Sequence, residues 1–189
     1  MKTFGIDPGS ERTGYGCVES DGSHHRMIMY GAIASPPLTS FPDRLFAIHG
    51  QLTTLLAECR PDCVAIESLF FAANVRSALK LGHARGVAML AAVEAGVPLA
   101  EYTPAEVKRA VVGYGRAEKQ QVQQMVKLLL GLRSLPSPHD AADALAVAIC
   151  HAHSSARAGE LASSRRAKTA TSWRHYRVNS TLEPKHSRT

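Results

Sequence analysis

Four acidic residues have the type and spacing to do chemistry together: Asp7, Glu67, Asp140 and Asp143. Asp7 ends a short apolar run containing Phe4 and Ile6 that is stopped at once by Pro8 and Gly9, so it sits at the mouth of a buried strand. Glu67 closes a second run of the same design, Asp62-Cys63-Val64-Ala65-Ile66-Glu67. Strand ends in open α/β sheets hold side chains rigidly over a crevice, where function tends to collect. Asp140 and Asp143 lie three apart at the start of a helix announced by Ser137-Pro138-His139, so both project from one face. Each acid also has a plain structural reading: Asp7 as a turn residue, Glu67 as a strand terminator, Asp140 as a helix-start acid. That reading is weakest for Asp143, because the alanines around it let the helix press on a sheet, where a lone carboxylate is costly.

If the four converge, mutual repulsion raises their pKa values unless dications neutralise them, and hard oxygen ligands suit Mg²⁺ or Mn²⁺. Two such ions about 4 Å apart can activate a water on one side of a phosphodiester and hold the leaving oxygen on the other. No Ser/His/Asp or Cys/His arrangement stands out as a competing nucleophile. Lys108, Arg116 and Lys119 crowd the joint between two helices, which is either a solvated basic face or a resting place for phosphates. Gly113-Tyr114-Gly115 invites a phosphate-loop reading, but no strand precedes it.

The elements that must position these groups follow from periodicity. A hairpin opens the chain, His25 to Ser35 alternates as a third strand, and Leu45, Ile48, Leu52, Leu55 and Leu56 form one helical stripe closed by Pro61. The Asp62–Glu67 strand comes next. Val75 to Ala95 is helical, with Leu79, Leu81, Val87, Leu90 and Val93 as its apolar pattern, and Gly82 and Gly86 permit a close approach, read first as packing within the chain. Val97 to Tyr102 is a last strand. Thr103-Pro104-Ala105-Glu106 is a capping-box start for a helix to about Val112, and another helix covers Ala117 to Leu132.

At 189 residues the chain can bury one sizeable core, and it has no apolar run that spans a bilayer and no leader, so a cytoplasmic protein is expected. Cys17, Cys59, Cys63 and Cys150 lack Cys-x-x-Cys spacing and read as reduced, structural residues. The net charge of +6 resides wholly beyond residue 150, where eight basic residues face two acids. A domain over 1–153 is therefore expected, with a basic, disordered tail over 154–189 that either solubilises the chain or contacts phosphates; Trp173 and Tyr176 suit stacking on bases.

Taken in order, Gly5-Ile6-Asp7-Pro8-Gly9, Ala65-Ile66-Glu67, Ser77 to Gly86, Val112-Gly113-Tyr114-Gly115 with Ala117-Glu118-Lys119, and Asp140 to Ala146 resemble the RuvC family of Holliday-junction resolvases, from Met1 to about His153. The resemblance implies a ribonuclease H-like α/β fold: a mixed five-stranded sheet flanked by helices on both faces. It implies that Asp7, Glu67, Asp140 and Asp143 are catalytic metal ligands for two Mg²⁺ ions, with Mn²⁺ able to substitute. Lys108 and Lys119 then lie near the scissile strand, and Phe70 matches the place of an aromatic set against junction bases. Some relatives carry His at the position of Asp140, so His139 is a candidate accessory group, beside its plain reading as a helix-start residue. A homodimer that nicks opposed strands of a four-way DNA junction is implied, working with branch-migration proteins in recombination and repair. The long tail departs from the family pattern.

Other readings stay open on residues alone. The Asp7 hairpin also looks like the phosphate hairpin of sugar kinases and actin-like ATPases, but no duplicated second hairpin follows. A non-catalytic junction-binding scaffold, or a ribonuclease H-like nuclease for another nucleic acid such as an RNA–DNA hybrid, would share the same fold.

Overall fold

A computed structural model describes residues 1–68 and 74–169, with side chains described through Ala156. Strands β1 (Lys2–Asp7), β2 (Arg12–Ser20) and β3 (His25–Ala34) form an antiparallel meander; α1 (Phe41–Cys59) leads to β4 (Cys63–Glu67), and α2 (Val75–Glu94) leads to β5 (Leu99–Tyr102). Helices α3 (Pro104–Val112), α4 (Lys119–Leu129) and α5 (His139–Thr169) follow. The five strands lie in the order β3-β2-β1-β4-β5, with β4 parallel to both β1 and β5. This is the mixed five-stranded sheet expected of a ribonuclease H-like chain.

Alternation along the strands divides the core into two layers. Phe4, Ile6, Ile33, Val64 and Ile66 face α1 and α2, where Ile48, Leu52, Leu56, Ala88 and Ala91 pack on them. On the other face, Val18 and Ala65 meet α3, α4 and α5 through Val107, Val111, Val126, Leu145 and Ile149. Helix starts follow the local chemistry. Ser40 caps α1 by accepting from the Asp43 backbone N–H at 3.3 Å, and Thr103 and Glu106 close the expected capping box of α3. The Gly-x-Gly turn has a structural cause: Gly113 ends α3 in the left-handed region at φ 99°, which a side chain resists.

Three expectations change. Part of the expected α2 pattern faces outward: Leu79, Leu90 and Val93 are exposed, Val87 packs at the edge of the core with Met89, and the fully buried positions are Ala84, Ala88, Ala91 and Ala92, whose methyl groups allow a close approach. Gly82 and Gly86 lie on open surface rather than against the chain's own elements. At the last helix, Ser137 and Pro138 precede the first turn instead of forming it, and the backbone carbonyl of Pro138 accepts from Ala141 and Ala142. Helix α5 is described to Thr169. Residues 170–189 lie outside the described residues. All four cysteines are free and buried, and no helix among the described residues is long and apolar enough to cross a membrane.

The contact that positions the acids is the seat of α5 on β1 and β2. Gly5 and Gly16 are cross-strand partners, as are Asp7 and Gly14, and all three glycines face α5. A Cβ at Gly14 would stand 1.9 Å from the Asp140 carbonyl oxygen, and one at Gly5 would stand 2.0 Å from that of Ala144. Ala141, Ala142 and Ala144 are fully buried in return.

Gly14→Ala must therefore push the first turn of α5 off the sheet, at about 1–3 kcal/mol. A fall in melting temperature of about 2 °C or more is expected. Gly50→Ala, where a Cβ meets nothing within 4 Å, should instead hold or raise it through helix propensity. Equal melting temperatures for the two variants would contradict the close seat.

Candidate active site

Parallel pairing of β1 with β4 puts Ile6 opposite Ile66, so the next residues, Asp7 and Glu67, leave the sheet side by side at the same end. Alternation turns both toward α5, since Phe4, Ile6, Val64 and Ile66 belong to the opposite layer. The first turn of α5 then carries Asp140 and Asp143 to the same place, because its backbone rests against Gly14, the cross-strand partner of Asp7. The four sequence-predicted acids are brought together.

Their electrostatics show the cost of that convergence. Burial pushes the Asp7 carboxyl up to about 8, and the charges of Glu67, Asp143 and Asp140 add to it, with only Lys119 opposing. Burial and then Asp143 also raise Glu67, against Lys119 and Lys108. Lys119 Nζ stands 2.6 Å from Asp143 Oδ2. Burial alone would lower the pKa of this ammonium, but its hydrogen bond to Asp143 and the negative charges around it raise the value instead.

Among the described residues, Asp7 has no basic group within ion-pair distance, and no three His, Cys, Asp or Glu side chains close into an ion-ligating cluster. An acid whose pKa is raised by burial and then by its neighbours' charge, beside hard oxygen donors, fits a hard dication better than any single ammonium would. Glu67, Lys108, Lys119 and Asp143 line one cleft of about 210 Å³, so two of the three sequence-predicted basic residues lie with the acids. Arg116 is exposed and does not line that cleft. Phe70 falls in 69–73, outside the described residues.

Two participants escaped sequence reasoning. Arg12 Nε lies 3.8 Å from Asp140 Oδ2, a contact visible only once the hairpin register sets Arg12 near the start of α5. Gln123, buried on α4, meets His139 Nδ1 through its amide nitrogen at 2.5 Å. With Nδ1 accepting, the proton of a neutral His139 ring sits on Nε2. No periodicity marks a buried glutamine in advance.

A family profile described as crossover junction endodeoxyribonuclease RuvC matches residues 3–151. Proteins of that name from Syntrophomonas wolfei and Alkaliphilus oremlandii are 52% and 53% identical to this chain, over 82% and 81% of it and 90% and 93% of their own lengths. A solved structure of T. thermophilus RuvC in complex with Holliday junction substrate superposes with a TM-score of 0.76 at 36% identity, covering 82% of this chain and 95% of that one.

The raised carboxyl carries a pH signature. With burial and like charge pushing Asp7 up to about 8 from an ordinary value of 3.8, the stability it contributes is complete below about pH 4 and is lost as pH rises through about 8. In metal-free buffer, Asp7→Asn removes that penalty. Its unfolding free energy should exceed the wild type's by a margin that grows between pH 5 and pH 9, reaching at least about 1 kcal/mol. A margin that does not change with pH would contradict the convergence.

Proposed function

The chain belongs to the crossover junction endodeoxyribonuclease RuvC family, and from that premise we propose that it resolves four-way DNA junctions by paired, symmetric phosphodiester hydrolysis in recombination and repair. The observation that carries the reading is the row of four acids at one end of the sheet, with the Asp7 carboxyl pushed up to about 8 beside a cleft that also holds two lysines. Asp7, Glu67, Asp140 and Asp143 would hold two Mg²⁺ ions, with Mn²⁺ able to replace them. Bound there, the ions would lower the pKa of an attacking water and offset charge on the departing 3′ oxygen, giving 5′-phosphate and 3′-hydroxyl ends.

The chain's own groups do the rest. The seat of α5 fixes Asp140 and Asp143 without loop motion, so little reorganisation is needed when charge develops. Lys119 holds Asp143 before substrate arrives and, with Lys108 on the cleft wall, offers ammonium groups to a phosphodiester entering it. His139, fixed by Gln123, presents an Nε2–H near the start of α5 and is a proposed accessory proton carrier. Arg116, outside the acid cleft, and Phe70 are proposed DNA contacts.

Paired nicks call for two copies related by a two-fold axis. The outer face of α2 supports a homodimer: Val75, Leu79, Leu90 and Val93 are exposed at 75%, 60%, 50% and 68%, around glycines open to close approach. Branch-migration proteins are proposed partners on the family's account.

Asp7→Asn should abolish Mg²⁺-dependent cutting of a synthetic four-way junction while leaving junction binding within about threefold of wild type; residual cutting at wild-type rates would contradict the assignment. The double variant Leu79→Glu, Leu90→Glu should sediment as a monomer and lose paired nicking. A dimer that survives both charges would place the subunit contact elsewhere.

A further inference from the structure

Asp140 and Asp143 open onto different clefts. The Asp143 side, bounded by β4, α3 and α4, carries Lys108 and Lys119. On the β2 and β3 side of β1 lies a wider groove of about 850 Å³, lined by Ser10 and Arg12 of the hairpin, Ser35 after β3, Arg44 on α1, Ser77 on α2 and Asp140. Its volume is within the range of ligand-binding clefts. Apart from Asp140, the function described above leaves its lining unused.

The two arginines are prepared for an oxyanion in different ways. Arg12 is about half exposed and meets Asp140 at 3.8 Å, a long contact of the kind that contributes little to stability, so a closer anion can recruit its guanidinium. Arg44 donates from Nε to the Thr39 carbonyl oxygen at 3.0 Å, which fixes the plane of the group, and among the described residues it has no acidic partner within 4 Å. A planar guanidinium held in this way matches the paired oxygens of a phosphodiester. Glu11, the other acid on the groove wall, is exposed on the hairpin turn and is free to point into water.

We propose that Arg12 and Arg44 form a second phosphate subsite, which takes a backbone phosphodiester flanking the one to be cut, across β1 from Lys108 and Lys119. The cut strand is thereby held on both sides of Asp7, so a scissile phosphate is centred over the acids by its neighbours' charges. This inference rests on the junction-nuclease reading.

The test is junction binding in EDTA, where no strand is cut, over a series of NaCl concentrations, for the full chain as wild type, Arg12→Gln, Arg44→Gln and Ser77→Asp. Each lost phosphate contact should make the slope of log affinity against log salt shallower by about 0.9 and weaken binding at least about threefold at low salt. Ser77→Asp, an exposed helix position that alters neither arginine, should weaken binding through repulsion. Slopes and affinities equal to wild type in all three variants, while the wild type binds and cuts junctions, would overturn the subsite and leave the nuclease reading standing. A wild type that neither binds nor cuts them would overturn both.

Discussion

The close seat of α5 on the glycines of β1 and β2 is the contact on which the site depends. A helix packed on a sheet through ordinary side chains stands off by a layer of methyl and methylene groups. Here Gly5, Gly14 and Gly16 remove that layer on one side and Ala141, Ala142 and Ala144 remove it on the other. Backbone meets backbone, so the first turn of α5 is lowered to the level of the strand ends. Two acids on a helix and two on parallel strands, distant in sequence, then share one end of the sheet.

That packing creates an electrostatic debt within the chain alone. Carboxylates taken out of water and set beside one another cannot all ionise near neutral pH, and Asp7, central among the strands, carries the largest shift. Lys119 pairs with Asp143, and among the described residues no cation pairs with Asp7. Small residues that give stability through packing thus hold a charge arrangement that works against stability, as expected where rigid positioning matters for chemistry. The basic side chains around the acids, Lys108 and Lys119 in one cleft and Arg12 and Arg44 in the other, suit a polyanion that brings its own counterions to the same place.

Much of this was legible in sequence because local rules and tertiary structure agree. Strands ending in acids, a capping box at Thr103 and Glu106, and alanines around Asp143 each point to one local geometry, and the parallel register of β1 and β4 needs only that the strands pair in the usual sense. In helix α2, hydrophobic periodicity identifies an apolar pattern but not which of its residues the chain itself covers. Its deepest positions are alanine, which carries little periodic signal, with Val87 and Met89 at the edge of the core, while Leu79, Leu90 and Val93 lie outside. Arg12 and Gln123 were invisible for a different reason: each acts across a register or a helix pair, and neither type stands out where it occurs. Gly113 shows why a Gly-x-Gly spacing without a preceding strand carries little: it is the left-handed end of a helix.

The central claim is that desolvation and like charge at Asp7 make this end of the sheet a seat for dications. The most direct measurement is a carboxyl-carbon NMR titration of Asp7 with and without Mg²⁺. The account predicts a midpoint near 8 in metal-free protein, falling by at least about two units when Mg²⁺ is added. A midpoint in the ordinary carboxylate range near 4, unmoved by Mg²⁺, would contradict it.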